Sequence, residues 1–281
     1  GVMSGLIAEL RDKGVDLQPY RLMGIEQIES FNAKRRSLFN PAIIHSLKPL
    51  VQELFTADFI RNHMDASLNG AAVADERLSE LFYRPHDTQS AVAFYNSCDA
   101  ISLVELTLLQ LSDALLNALR EESTALFFKV ESRVLYALGD ALIYFSEVFL
   151  GHGVRLHIEV SQYPFISSAL SVSTLVKLHE HGVILVMDNF DWRGGDWRER
   201  YLSSGIFSCV KFDTPPLLQS EINVFKDALL SLQETFRMKT IVSKVETKRQ
   251  SEVVLSTGCW AVQGFYYARP RSVNLMDLKS L

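Results

Sequence analysis

The sequence predicts an α/β protein folded as a (β/α)8 barrel. Two observations carry that expectation. Short apolar runs rich in β-branched residues alternate with amphipathic stretches about eight times over roughly 250 residues. Several of those runs also end on a charged or amide side chain, as strands do at the mouth of a barrel. The chain has 281 residues, of which 48% are hydrophobic and 22% charged, enough to bury a full-sized core. A doubly wound open sheet is the alternative topology.

The elements follow in order. "VDLQPYRLMGIEQI" (15–28) reads as two short strands joined by a tight turn. Residues 32–98 break the rhythm. They are helical in pattern from Pro41 to His63 and from Asp75 to Tyr83, with polar breaks at "NGAAVADE" and "YRPHDTQS". This stretch reads as a helical insertion or subdomain within one barrel domain spanning 1–281. Residues 102–122 and 132–153 are long amphipathic helices on either side of a strand, "TALFFKV" (124–130). Strands are then expected at 156–160, 183–187, 207–212, 240–245 and 260–267, with helices at 171–181, 194–204, 219–236 and 247–257. "HEHG" (179–182) reads as a helix end, His near the negative pole and Gly182 as the cap.

Composition narrows the function. A net charge of −5 and the lack of a long basic run speak against nucleic acid as a direct partner. The densest cationic patch, "NAKRR" (32–36), is explained by a solvated loop. Three cysteines, Cys98, Cys209 and Cys259, are far apart and lie in or beside apolar stretches, which suits free thiols in a reducing compartment. No apolar run approaches the ~18 residues of a membrane span, and no signal peptide is recognised. The expectation is a cytoplasmic protein without a membrane partner.

In a barrel the C-terminal strand ends converge. Those ends carry Glu26, Glu159, Asp188, Lys211 with Asp213, Glu246 and Gln263. Carboxylates gathered at one mouth repel unless a cation joins them. Hard oxygen donors without histidine suit one Mg²⁺, Mn²⁺ or Ca²⁺ rather than zinc. A lysine in the ring would offset charge or meet a phosphate.

The same residues sit in motifs that resemble the bacterial EAL domain, the cyclic-di-GMP phosphodiesterase fold, a modified TIM (β/α)8 barrel. "GIEQI" (24–28) resembles its G-x-E-A-L signature and would make Glu26 a metal ligand. "LHIEVSQ" (156–162) and "VMDNF" (186–190) resemble L-x-L-E-I-T-E and D-D-F-G, which would add Glu159 and Asp188 to the metal set. "VKFD" (210–213) resembles I-K-I-D and aligns Lys211 with the active-site lysine. "IVSKVETKRQ" (241–250) resembles A-E-G-V-E-T-x-x-Q, and "GCWAVQGFYYARP" (258–270) is close to G-C-x-x-x-Q-G-Y-x-x-x-x-P. "LQP" (17–19) resembles the opening Q-P-I. By this resemblance Lys211, Gln263, Glu246 and Asn189 would face the nucleotide. The likeness runs from about Thr124 to the C-terminus and is patchy before it.

The departures bear on activity. Ser243 stands where the family has its catalytic base, so no catalytic residue is assigned. Asn189 replaces the second Asp of D-D-F, Gln162 replaces the second Glu of E-x-T-E, and the family's metal-binding Asn falls near Val130 or Glu131. Ser30 corresponds to the phosphate-gripping Arg that follows E-A-L, and the loop after Asn189 gains Trp192 and Trp197. Hydrolysis of a phosphodiester needs an activated water, a base and usually two cations. Losing the base alone costs on the order of 10²–10⁴ in rate. The expectation is therefore a degenerate EAL-like regulator, not an enzyme, whose partner is another regulatory protein. "RLMGIEQIESF" also resembles the opening of enterobacterial EAL-like flagellar regulators. A receptor that binds cyclic-di-GMP without cutting it is the alternative, and an active phosphodiesterase with atypical ligands comes last. The family often dimerises beside the loop that here spans Phe190 to Arg200, so a homodimer is also expected.

Overall fold

The structure, a computed structural model, describes residues 18–63, 76–161, 169–213, 215–216 and 218–275. Eight strands close a barrel. The first, β1 (Leu47–Thr56), runs antiparallel to β2 (Leu78–Pro85), with Gln52 opposite Glu80. From β2 the neighbours are all parallel: β3 (Ala125–Val130), β4 (Arg155–Val160), β5 (Ile184–Met187), β6 (Cys209–Asp213), β7 (Lys239–Ser243) and β8 (Ala261–Val262). The ring closes where Phe55 of β1 faces Val262 of β8, again antiparallel. A two-residue strand, β9 (Arg271–Ser272), adds to β1 outside the ring.

Strands β3 to β7 are buried along most of their length because both of their faces are covered. The interior takes one face and helices take the other. Helix α5 (Ala100–Arg120), capped by Asp99 on the Ser102 amide, and α6 (Leu135–Gly151) bury most of their apolar residues against the barrel. Helix α5, and α6 together with the 3₁₀ turn before it (Ser132–Gly151), are long and apolar enough to cross a bilayer by length and composition, contrary to the sequence expectation. Their burial inside the protein accounts for that apolarity. Helices α7 (Ala169–Glu180), α8 (Gln219–Glu234) and α9 (Lys248–Leu255) complete the later crossovers. Gly182 follows α7 at φ +80, as its reading as a cap requires. The stretch 197–204, expected as a helix, is a 3₁₀ helix.

Two expectations near the N-terminus are corrected. The segment read as two strands is a 3₁₀ helix at Gln18–Leu22 followed by α1 (Ile25–Ser37); residues 15–17 lie outside the described ones. Gln27 Oε1 accepts the Gly24 amide at 3.1 Å and starts the helix. The buried face of α1 is Ile28, Asn32 and Arg35, spaced helically but mostly polar, so hydrophobic periodicity could not reveal it. "NAKRR" is thus no solvated loop. It packs on α5 through a polar seam. Asn32 Nδ2 donates to the Ser112 carbonyl at 3.0 Å, Tyr20 Oη donates to Asn32 Oδ1 at 2.7 Å, and Arg36 Nη2 donates to Asp113 Oδ1 at 2.6 Å. Arg35 donates to Tyr20 Oη at 2.7 Å.

The helical reading of 32–98 holds only in part. Short helices α2 (Pro41–Ile44), α3 (Ala57–Asn62) and α4 (Ala91–Ser97) lie there, but so do β1 and β2, the first two staves of the barrel. Pro49 within β1 argues against a strand by local rules. Tertiary pairing overrides it. Cys209 and Cys259 are buried, Cys98 is half-buried, and all three thiols are free.

Candidate functional site

A cavity of about 430 Å³ opens at the C-terminal ends of the parallel strands. The strands deliver its charged side chains. Glu80 comes from β2, Lys129 from β3, Glu159 from β4 and Lys211 from β6, with Asp188, Asp213, Ser243, Glu246 and Gln263 at or just past strand ends. Gly264 lets the chain turn after Gln263. At φ +153 a Cβ there would lie 2.1 Å from the Val245 carbonyl oxygen, so no other residue fits. The E-T-x-x-Q motif also has a local cause. Thr247 caps α9 on the Gln250 amide, and Gln250 Oε1 accepts the amides of Glu246 and Thr247.

The floor of the mouth is a network of paired charges. Lys211 Nζ lies 2.9 Å from Glu80 Oε2 and 2.9 Å from Glu159 Oε2. Gln263 Nε2 donates to Glu80 Oε1 at 3.2 Å. Lys129 Nζ lies 2.8 Å from Asp188 Oδ2. Burial works against ionisation of Glu80, yet the Lys211 ammonium overrides it and holds the carboxyl at about 2. Burial pushes the Glu159 carboxyl well above the usual range, and Glu80 adds to the rise. Burial would lower Lys211, but Glu159 and Glu80 hold it above an ordinary lysine. Asp188 raises Lys129 in the same way. The two lysine ammoniums thus offset the negative charge gathered at the mouth.

At the rim, Ser243 Oγ donates to Asp213 Oδ1 at 2.7 Å, and Lys244 Nζ lies 3.1 Å from Asp213 Oδ2. Burial opposes ionisation of Asp213, but these two neighbours hold its carboxyl below the usual range. Phe190 and Trp192 pack against the barrel, with ring centroids 5.8 Å from Phe212 and 5.3 Å from Phe225. Arg198 anchors their loop, donating to the carbonyls of Val160 and Asp188 at 2.7 Å and pairing with Asp196 in full burial.

The site departs from expectation at three places. Glu26 is exposed on α1 and does not line the cavity. Glu80 stands in the cavity instead, and the four-residue offset from Glu26 to Ser30 is matched by that from Glu80 to Arg84, a guanidinium at the rim. Asn189 is exposed at φ +49, outside the cavity lining, whereas Glu246 and Gln263 line it. Lys129 was missed altogether. The signal was a lone cation in an apolar strand, "ALFFKV", one residue before the positions expected to replace the metal-binding Asn. Gln162 lies outside the described residues.

Divalent cations do not fit this arrangement. Glu159 Oε1 is buried without a partner, but a hard cation needs about six oxygens. An ammonium already sits on an oxygen of each of the three carboxylates. Among the described residues, no cluster of three acid, His or Cys side chains is set to hold an ion.

Comparison with known proteins agrees with the geometry. The EAL domain profile matches residues 87–270. No curated protein matches the chain in sequence. Among solved structures, the PaMucR phosphodiesterase in complex with c-di-GMP superposes with a TM-score of 0.62 at 21% identity, covering 81% of this chain and 98% of that one. Klebsiella pneumoniae BlrP1 with calcium and cyclic-di-GMP gives 0.61 at 16% identity, covering 82% of this chain and 57% of that one. An EAL domain protein from Listeria monocytogenes gives 0.57 at 18% identity, covering 88% and 94%. At these identities the structural likeness speaks for the fold. With most of its length matched by the family profile, the chain belongs to the EAL domain family of cyclic-di-GMP signalling.

Proposed function

We propose that this EAL domain is catalytically degenerate and regulates by binding rather than by hydrolysis. One observation carries the reading: the Lys129 ammonium occupies an oxygen of Asp188, a carboxylate on which a catalytic metal would depend. Ser243 at the base position adds to it, because a hydroxyl without a low pKa cannot take the proton of an attacking water. Another regulatory protein is the proposed partner, with the anchored loop from Phe190 to Arg200 as the contact surface for it or for a second copy.

A cyclic-di-GMP receptor is the second reading, and Arg84 favours it. The argument from Ser30 against a phosphate grip falls with the move of the signature to Glu80. A guanidinium at the rim of an open cavity is a ready partner for a phosphodiester.

Calorimetric titration of cyclic-di-GMP with Mg²⁺ present, followed by analysis of the recovered nucleotide, tests both. Intact nucleotide without binding supports the protein-partner reading, which a pull-down and a size measurement then address. Binding with intact nucleotide supports the receptor. Linear product would refute the degenerate reading.

A further inference from the structure

The register of the barrel brings Lys129 to a place where the fold family would have a metal. In β3 and β4, Lys129 pairs with Glu159, and Val160 pairs with Met187 of β5, so Asp188 lies one residue beyond. Partners across parallel strands project to the same face. Lys129 therefore leans over β4 to reach Asp188, across two strand spacings or roughly 10 Å. Half of its side chain remains exposed, while Asp188 is 6% exposed. Glu159 and Glu80 also favour the charged Lys129 ammonium, which thus feels three of the carboxylates of the mouth.

We infer that Lys129 is the resident cation of this mouth, an ammonium that holds the ground a divalent ion would take, so that the acidic cluster is complete without metal. The inference deepens the non-hydrolysing reading and rests on it. A divalent ion on Asp188 Oδ2 would sit within about 5 Å of the ammonium, and two positive centres that close repel strongly in a partly buried site. Removing the ammonium leaves Asp188 unpaired beside Glu159, in a cavity open to water that can supply the remaining oxygen ligands. Lys129 is thus the side chain that keeps the ion from Asp188.

Manganese(II) titration, read by loss of the free-ion electron paramagnetic resonance signal, tests this. The unchanged chain should leave Mn²⁺ free. Lys129→Asn and Lys129→Met should each bind one ion at least ~10-fold more tightly, and adding Asp188→Asn to either should abolish that gain. The Met variant keeps the apolar stem, so it guards against a folding failure of the Asn variant. One Mn²⁺ bound by the unchanged chain and lost in Asp188→Asn would overturn the inference with Lys129 untouched. A Lys129→Met protein with native circular dichroism and no gain in Mn²⁺ binding would overturn it too. Hydrolysis of cyclic-di-GMP by the unchanged chain in excess EDTA, with Mn²⁺ still unbound, would instead end the non-hydrolysing reading and leave the role of Lys129 intact.

Discussion

The mouth of the barrel and the seam between α1 and α5 both bury charge beside a cavity, and they differ in the cation that meets the carboxyls, lysine in the mouth and arginine in the seam. In the mouth, Lys211 and Lys129 balance Glu80, Glu159 and Asp188 beneath an open cavity. In the seam, Arg36 meets Asp113, whose other oxygen accepts from Tyr83 Oη at 3.1 Å, while Tyr20, Asn32 and Ser112 form a closed chain of hydrogen bonds. The chemistry of pairing is the same in both. Water can adjust protonation in the mouth, where carboxyls face the cavity. In the seam Asp113 also borders a cavity, but its partner guanidinium does not give up its proton. One arrangement is a site and the other is a joint.

The largest effect expected from breaking this contrast is that of Lys211→Ala. It strands two carboxyls in the interior and should cost about 3–5 kcal/mol in urea unfolding at pH 7. Part of that loss should return by pH 5, as the carboxyls take protons from the cavity. A loss that does not change with pH would remove the distinction between mouth and seam.

A reference point lies between the two networks. His157 stacks on Phe127 with ring centroids 4.3 Å apart, and burial holds its imidazole down at about 4. A depressed folded-state value means that the unfolded chain protonates first. Stability is therefore complete above about 6.5 and is lost as the pH falls toward 4, by about 3 kcal/mol at most. His157→Phe should flatten that slope in unfolding curves taken between pH 7 and 4, and an unchanged slope would reject the assignment.

Asp113→Ala should cost about 2–3 kcal/mol by stranding Arg36. Unlike Lys211→Ala it should recover nothing in acid, because the orphaned group stays charged. Recovery comparable to that of the mouth variant would count against the comparison. The smallest effect on stability belongs to Arg84→Ala, within about 0.5 kcal/mol, since the side chain is exposed at the rim. If the receptor reading holds, the same change should weaken cyclic-di-GMP about tenfold, roughly the loss of one charge-assisted hydrogen bond. Unaltered affinity would take Arg84 out of the site.

The second half of the chain was legible because its signals are local. "VILVM" and "FSCVKF" are buried strands with continuous apolar runs, and Lys211, Asp188 and Gln263 follow directly from where those runs stop. The first half was not, for two reasons. The antiparallel pair β1 and β2 carries Pro49 and mixed polar residues, so it mimics a helical pattern, and the family profile begins only at residue 87, past Glu80. "GIEQI" then drew the signature onto α1, whose amphipathic face is polar and therefore silent to a hydrophobic count.

By itself, then, the sequence determined the alternation of strand and helix from β3 onward and, to within a few residues, where β3 to β8 lie. Each of these is written within a few residues, in periodicity or in motif. Only the tertiary structure decided which carboxylate begins the ring, that Arg84 stands at the rim, and that Lys129 meets Asp188. Barrel closure sets those pairings: Glu80 and Lys211 are 131 residues apart in the chain and 2.9 Å apart in space, and no local pattern encodes such a distance.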